Sequence, residues 1–322
     1  MIRLRFLWND CARRLREPFL RWTAAFAGAA VLWAVPSALE GAEQRLRVVS
    51  TATTITDMVA AVGGDRIELE GLMGPGVDPH LYRPSVSDLR KLHRADVVFY
   101  MGLFFEEQMD GMLKRRTRGG RTAIAVTDGI PREKLLPADD APDLYDPHVW
   151  FDVSLWALCV PTVVEGLSAA DPGGRGYYEE RGRAFQRKLA DLHEWAKEKT
   201  AELPEERRIL VTSHDAYGYF GRAYGFQVVG LMGLSTSGEA GLADISRLVD
   251  FIREKQLPAI FVESTVSPRA IQRVSADSGA AIGGELFSDA LGAKGEMRGG
   301  FDVGTYEGMI RYNLTTMVEA LR

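Results

Sequence analysis

The sequence predicts an α/β fold with two lobes, each built on a parallel sheet, joined by a long helix. Three observations lead to this prediction. Short apolar segments alternate with amphipathic helical segments from residue 45 onwards, which is typical of parallel sheets covered on both faces. Residues 177–203 keep helical periodicity for much longer than their neighbours. The same order of strands and helices occurs on both sides of that segment, which indicates two similar lobes.

In the first lobe, the apolar segments are predicted strands and the amphipathic segments are predicted helices. Gly63 and Gly64 end the first helix, and a loop rich in Gly and Pro follows the second strand. Val86, Leu89 and Leu92 share one face of the second helix. The predicted strands are residues 45–50, 67–72, 97–100 and 123–126, and the predicted helices are residues 55–62 and 85–94.

Residues 177–203 form the predicted linker helix. Apolar side chains recur there at helical spacing among many charged residues, and Pro172 and Pro204 lie just outside the segment. At 1.5 Å per residue such a helix is roughly 40 Å long, about the width of a domain. A rigid helix of this length can join two lobes, or it can lie on the surface of one domain.

The second lobe repeats the alternation. Its predicted strands are residues 209–212, 227–231, 259–262 and 281–287, and its predicted helices are residues 217–224, 242–255, 268–278 and 306–321. We therefore divide the chain into a signal peptide at 1–42, a first lobe at 43–175, a linker helix at 176–203 and a second lobe at 204–322. We expect one hydrophobic core of average size in each lobe.

The first 42 residues have the layout of a secretory signal peptide. Arginines precede an apolar run at residues 22–35, and small residues follow at Ser37 and Ala38. The run is too short for a comfortable membrane span, and we expect no other segment to be apolar for long enough to cross a bilayer. Cleavage between about residues 37 and 43 and export to the periplasm are expected, with an uncleaved anchor as the alternative.

Charge and cysteine content restrict the function further. The formal net charge is −5, and a mildly acidic protein is not expected to bind nucleic acid. Cys11 lies in the predicted signal peptide without the small apolar lead-in that lipoprotein processing needs, so we expect a free periplasmic protein. Cys159, the remaining cysteine, lies in an apolar pattern and is expected in the core. One cysteine excludes an internal disulfide and a cysteine-based zinc site.

Three of the five histidines lie where the chain changes direction. His80 lies in the loop after the second strand, His148 opens a helix after a loop, and His214 directly follows a strand. Asp289 has an equivalent position after the last strand. Loops at the carboxyl ends of parallel strands converge, so these four side chains can meet in the cleft between the lobes. The other two histidines, at positions 93 and 193, lie in charged helical segments and are expected on the surface.

Three imidazoles and one carboxylate suit Zn²⁺, Mn²⁺ or Fe²⁺, and suit Ca²⁺ or Mg²⁺ poorly. Taken singly, each loop histidine is more often a surface or capping residue, and Asp289 alone can be a helix cap. The repeated Asp-Pro-His at residues 78–80 and 146–148 favours the metal site, because proline fixes the backbone before the imidazole. Glu263 and Asp152 are candidates for orienting an imidazole from behind, and structural hydrogen bonding is an equal alternative for both.

Several linked motifs resemble one known family. They are VDPHLYRPSVSDLRKLHRADVVFYMGLFFE, YDPHVWFDVSLW, VTSHDAYGYFGRAYG, IFVESTVSPRAI, GGELFSDALG and TYEGMIRYNL. In this order they are similar to the TroA-like zinc/manganese solute-binding proteins of bacterial ABC transporters, over nearly all of residues 46–322. Relatives often have His where this chain has Phe104, and residues 115–145 contain no His, which argues against a dedicated zinc scavenger.

The resemblance implies two lobes joined by a rigid helix, with the family's metal ligands at His80, His148, His214 and Asp289. It implies a monomeric binding protein, not an enzyme, that captures Zn²⁺ or Mn²⁺ (Fe²⁺ is the third option) and delivers it to a membrane permease. The alternative is a metal-dependent hydrolase that uses the same ligands, with Asp215 as the base. A binder of metal chelates is a further alternative.

Overall fold

The computed structural model describes residues 45–118, 122–138 and 141–322. Residues 44–322 form one compact unit. The predicted signal peptide at residues 1–42 lies outside the described residues, so its layout and cleavage stay predictions. The division of the remainder at residues 175 and 203 also stays a prediction.

The first half contains a four-stranded parallel sheet in the order β2–β1–β3–β4. Its strands are β1 (Leu46–Ser50), β2 (Ile67–Gly71), β3 (Val97–Tyr100) and β4 (Thr122–Ala125), and its helices are α1 (Thr53–Gly63), α2 (Val86–Arg94) and α3 (Asp110–Arg118). The predicted strands and the first two helices are confirmed. Helix α3 was not predicted, because its run of charged residues hides the apolar positions.

Helix α2 begins at a reciprocal cap. The Ser85 hydroxyl accepts a hydrogen bond from the Asp88 backbone N–H, and the Asp88 carboxylate accepts one from the Ser85 N–H. Two of the unpaired N–H groups of the first turn are satisfied in this way. The loop that contains His80 begins after β2 and ends at Ser85. The cap therefore fixes the end of this loop.

Two long helices occupy the middle of the chain. A hairpin of β5 (Pro137–Ala138) and β6 (Ala141–Tyr145) precedes α4 (Val153–Ala170), and α5 (Arg175–Thr200) follows. The 26 residues of α5 confirm the predicted long helix. Helix α5 packs on α1 and α4 from the first half and on α9 (Tyr306–Leu321) from the second half. One face of α5 is therefore packed against both halves, and its opposite face is exposed.

Helix α4 corrects one expectation from the sequence. Among the described residues it is the one helix that has both the length and the apolar composition to cross a bilayer. Half of it is buried in the fold, and Trp156 and Cys159 are fully enclosed. The expected core position of Cys159 is confirmed. The apolar composition of α4 is explained by its contacts with α1, α5 and the first sheet.

The second half repeats the topology of the first. Its elements are β7 (Ile209–His214), α6 (Gly218–Tyr224), β8 (Gln227–Met232), α7 (Leu242–Lys255), β9 (Ala259–Glu263), α8 (Arg269–Ser278), β10 (Ala281–Leu286), a small hairpin of β11 (Met297–Arg298) and β12 (Phe301–Asp302), and α9. Strand β7 pairs in parallel with β8, β9 pairs in parallel with β10, and β7 lies beside β9. The two pairs are separate two-stranded sheets, and the contacts between β7 and β9 give the order β8–β7–β9–β10, which corresponds to the order of the first sheet.

The hydrophobic core is shared between the halves, which differs from the two separate cores that we expected. The largest cluster joins Val48 and Trp156 in the first half with Phe261 and Met309 in the second. Smaller clusters cover the outer faces of each sheet. Helices α1, α4, α5 and α9 contribute to this shared core, and we call the face that they form the helical side. Because close-packed side chains resist deformation, the helical side holds the two halves in a fixed relation.

A carboxylate that joins the halves should make stability depend on pH. Asp57 on α1 accepts a hydrogen bond from the Tyr306 N–H at the start of α9. Burial raises the pKa of Asp57 from 3.8 to about 6. The nearby carboxylates of Asp302 and Glu307 also raise this pKa, whereas the hydrogen bond from Tyr306 and the charge of Lys188 lower it. The folded state therefore favours protonated Asp57, and its contribution to stability is lost as the pH rises through about 6.

Asp57→Asn should consequently stabilise the protein more at pH 8 than at pH 4.5. We expect the difference to be about 2 kcal/mol in the free energy of unfolding, measured by urea denaturation of metal-free protein. Asp65→Asn, which removes a charge from an exposed position on the same half, is the matched control. An equal effect of Asp57→Asn at both pH values would contradict the pKa shift.

Candidate metal centre

The four side chains selected from the sequence come together between the two halves. His80, His148, His214 and Asp289 each offer one donor atom, and these atoms all lie within 4.8 Å of one another. His80 is 2% exposed and the other three are 0% exposed. The described residues thus contain a closed, preformed cluster of three imidazoles and one carboxylate.

His80 is held by its own Asp-Pro-His sequence and by Glu107. The Asp78 Oδ1 atom accepts a hydrogen bond from the His80 backbone N–H at 2.9 Å, and Pro79 restricts the residue between them. On the imidazole, Nδ1 lies 3.2 Å from Glu107 Oε1. When Nδ1–H donates to this carboxylate, Nε2 has no proton. Its lone pair then faces the other ligands and can bind a metal ion.

A left-handed turn places Glu107. Residues 102–104 all have positive φ, and Leu103 at 54° and Phe104 at 68° are not glycines, so the turn costs on the order of 1 kcal/mol or more per residue. Glu106 stabilises the turn, because its buried carboxylate accepts hydrogen bonds from a threonine hydroxyl and two backbone N–H groups. Burial raises the pKa of Glu106. The turn directs the next residue, Glu107, to His80.

The second Asp-Pro-His sequence holds His148 in the same way. The Asp146 Oδ1 atom accepts a hydrogen bond from the His148 N–H at 2.9 Å and lies 2.7 Å from His148 Nδ1. One aspartate therefore fixes both the backbone and the ring of His148. The two tripeptides share the bond from the aspartate to the histidine backbone N–H, whereas the ring of His80 is held by Glu107 instead.

His214 is the last residue of β7 and is held by the neighbouring strand. Glu263, the last residue of β9, accepts a hydrogen bond from the His214 N–H at 2.9 Å, and its other oxygen lies 2.6 Å from His214 Nδ1. Glu263 thus fits the predicted role behind an imidazole. Asp152 does not fit that role, because its carboxylate caps α4 through the N–H groups of Ser154 and Leu155.

Asp289 follows β10 and faces two of the imidazoles. Its Oδ1 atom lies 3.5 Å from His148 Nε2, and its Oδ2 atom lies 3.4 Å from His214 Nε2. The Thr265 hydroxyl also approaches Oδ2, at 3.5 Å. Both carboxylate oxygens are therefore directed at the same central point as the imidazole nitrogens.

Burial and opposite charge act against each other at this cluster. Burial alone would lower the pKa of His214, but the carboxylates of Glu263 and Asp289 outweigh it and hold that pKa well above 6.5. Burial alone would raise the pKa of Asp289, but the three imidazoles, led by His214, hold it below its usual value. The cluster therefore favours positive charge at its centre.

Four donor atoms at the centre have no hydrogen-bond partner among the residues that the structure describes. They are the Nε2 atoms of His80, His148 and His214 and the Oδ1 atom of Asp289. A buried polar atom without a partner costs about 1–3 kcal/mol. With bonds of about 2.0–2.2 Å, donors around a tetrahedral metal ion lie about 3.3–3.6 Å apart. Two separations match that spacing, from Asp289 Oδ1 to His148 Nε2 and from Asp289 Oδ2 to His214 Nε2, so this donor set suits a divalent ion.

Aromatic side chains close the inner wall of the site. The ring centroids of Phe105 and His80 are 5.2 Å apart, as are those of Trp150 and His148, both in edge-on geometry. The Trp150 indole N–H donates to the Ser288 carbonyl at 3.1 Å, which ties this wall to the second half. An apolar wall of this kind excludes water and strengthens electrostatic interactions inside.

Two partners of the ligands were not predicted from the sequence, and one predicted surface position is wrong. Glu107 and Asp146 were not assigned as partners of His80 and His148, although the Asp-Pro-His repeat contains a signal for Asp146. His93 is exposed as expected. The expected surface position of His193 is wrong, because its half-buried ring lies 3.1 Å from the Tyr224 hydroxyl through Nδ1.

Comparison with known proteins identifies the family. The model of the family described as ZnuA, zinc-uptake complex component A, periplasmic, matches residues 48–320. The chain belongs to this family. The manganese-binding lipoprotein MntA of Bacillus subtilis is 42% identical over 291 residues, covering 89% of this chain and 93% of that protein. The zinc-binding protein TroA of Treponema pallidum is 43% identical over 279 residues, covering 85% and 88%.

A solved structure supports the same assignment. The periplasmic zinc-binding protein TroA from Treponema pallidum superposes with a TM-score of 0.81 at 42% identity, covering 86% of this chain and 99% of TroA. The predicted α/β fold and the predicted resemblance to the TroA-like group are confirmed. The family model describes a component of zinc uptake, and the relatives are metal-binding proteins, so the metal-dependent hydrolase is not retained.

Removing one ligand tests the assignment of the four side chains. His148→Ala should weaken Zn²⁺ and Mn²⁺ binding by more than about 100-fold, because the ion loses a donor and Asp146 loses its ring partner. Isothermal titration and metal analysis after dialysis measure this change. His93→Ala removes an exposed imidazole on α2 and is the matched control. Stoichiometric metal in His148→Ala would disprove the assignment.

Metal affinity should decrease as the pH falls. An ion binds only neutral imidazole, and the raised pKa of His214 means that the metal-free site retains a proton above pH 6.5. The ion must displace this proton, so the decrease should begin above pH 6.5 and continue below it. Chelator competition from about pH 5.5 to about pH 8.5 measures the effect. Constant affinity across that range would be incompatible with this proton competition.

Proposed function

We propose that the chain is the exported solute-binding protein of an ABC importer for a divalent transition metal. It captures one ion with His80, His148, His214 and Asp289 and delivers that ion to the membrane permease. The observation that supports this proposal most strongly is the convergence of four buried donor atoms that lack hydrogen-bond partners. An uptake protein needs such a site, because binding must remove water from the ion and hold it until delivery.

The cargo that we propose is Zn²⁺ or Mn²⁺, with Fe²⁺ as the third option. Three imidazoles and a carboxylate suit these ions better than Ca²⁺ or Mg²⁺. Both oxygens of Asp289 face imidazole nitrogens, so the carboxylate can bind through one oxygen, as Zn²⁺ prefers, or through both. The relatives include both a protein named for manganese and a protein named for zinc.

Capture and release in this proposal involve no chemical conversion. The first lobe (43–175) and the second lobe (204–322) each supply two ligands, and the linker helix (176–203) lies between them in the sequence. The shared core on the helical side favours small movements at the open side of the cleft over a wide rotation. A permease that separates the halves slightly at the open side therefore weakens the hold of the site on the ion.

We propose export across the cytoplasmic membrane, action as a monomer, and a membrane permease as the partner. Relatives such as MntA of Bacillus subtilis are named lipoproteins. In this chain Cys11 lacks the apolar lead-in that lipid attachment needs, which supports a cleaved signal peptide and a free periplasmic protein. Mass determination of the mature protein distinguishes cleavage near residues 37–43 from a lipid-bearing or uncleaved chain.

The decisive experiment combines metal analysis with growth. Protein purified from its native host without added metal should contain about one Zn²⁺ or Mn²⁺ per chain. A strain lacking the gene should grow poorly when that metal is scarce, and wild-type protein should restore growth whereas His148→Ala should not. Restoration by His148→Ala, or native protein that contains none of these three metals, would rule out the proposal.

A further inference from the structure

A loop from the second half crosses to the first half at the metal centre. Residues 233–237, which we call the crossing loop, directly follow β8. Its base is fixed next to a ligand, because His214 pairs with Met232 and the Asp215 N–H donates to the Gly233 carbonyl at 3.2 Å. The crossing loop therefore starts beside His214 and moves with the second half.

Two hydroxyls of the crossing loop bind carboxylates of the first half. The Thr236 hydroxyl donates to Asp78 Oδ2 at 2.6 Å. The Ser235 hydroxyl lies near the Glu107 carboxylate, where it helps His80 to lower the pKa of that carboxyl, and its oxygen lies 2.7 Å from that of Ser237. Hydrogen bonds to ionised carboxylates are short and stronger than those between neutral groups.

Both of these carboxylates hold the same ligand. Asp78 accepts a hydrogen bond from the backbone N–H of His80 through its other oxygen, and Glu107 lies against His80 Nδ1. The crossing loop thus reaches His80 by two separate routes, one through the backbone and one through the ring. Chains of hydrogen bonds of this kind reinforce one another when water is excluded.

His80 is also the ligand on the open side of the site. It lines a cavity of about 910 Å³ between the halves, together with Glu107, Ser235 and Ser237. His148, His214 and Asp289 are fully buried behind it. Solvent or a docking partner that enters the cleft therefore meets the crossing loop and His80 first.

We propose that Ser235 and Thr236 are positioning residues that set how long the metal ion stays bound. With the crossing loop in place, Asp78 and Glu107 hold His80 against the ion, and dissociation is slow. When the halves separate at the open side, the two hydroxyls leave their carboxylates and His80 becomes the first ligand to release the ion. This inference rests on the proposed function, because it assigns a role in release from the same site.

The test compares rates of metal release. Ser235→Ala/Thr236→Val should release Zn²⁺ into excess EDTA about tenfold faster than wild type in stopped-flow measurements, with the association rate changed by less than about twofold. Thr236→Val alone should also release Zn²⁺ faster than wild type. Thr236→Ser, which keeps the hydroxyl, should release it nearly as slowly as wild type. Ser246→Ala, an exposed serine on α7, is the matched control.

A double-mutant cycle separates this role from a general loss of stability. If the Thr236 hydroxyl acts through Asp78, the effects of Thr236→Val and Asp78→Asn on the release rate should be strongly non-additive. The inference is overturned if the double loop variant releases Zn²⁺ at the wild-type rate, if association and dissociation rates change equally, or if the two effects add. Wild-type protein that binds no metal would instead refute the proposed function itself.

Discussion

The structure depends on four buried donor atoms that the fold brings together without giving them partners. Each imidazole presents Nε2 to the centre because a carboxylate occupies or faces its Nδ1 atom. Those three carboxylates, together with Asp289, make the site strongly anionic before an ion arrives. The polar atoms left without partners cost stability in the metal-free protein, and the ion returns that stability on binding. Metal binding should therefore stabilise the closed arrangement of the four ligands.

The two sheets and their shared core keep this costly arrangement in place. His214 and Glu263 end β7 and β9, which pack side by side, so their separation is set by the packing of two strands and does not depend on loop conformation. The continuous core on the helical side prevents the halves from drifting apart when the site holds no ion. Flexibility is left for the loops on the open side, and the single ligand there, His80, is supported by residues from both halves.

Much of the fold and the four central residues could be predicted from the sequence. Strand and helix periodicity is local information, and His148, His214 and Asp289 lie at or near the ends of strands or helices, while His80 lies in the loop between β2 and α2. The Asp-Pro-His repeat added a second local signal. The contacts of Glu107 and the crossing loop could not be predicted, because they join residues remote in the sequence. Helix α3 was missed since its charged residues mask its apolar face, and the shared core is a consequence of packing that no periodicity reveals.

The ligands are held by different kinds of contact, and this difference determines which ligand releases the ion first. Asp146 holds His148 from within one short segment, and Glu263 holds His214 between neighbouring strands, so neither depends on how far the cleft is open. His80 differs, because the carboxylates behind it are bonded to the opposite half. A small opening therefore weakens one of the four bonds before the others. Loss of a single donor leaves a three-coordinate ion that can accept water or a new ligand, which is the state that transfer to a permease requires.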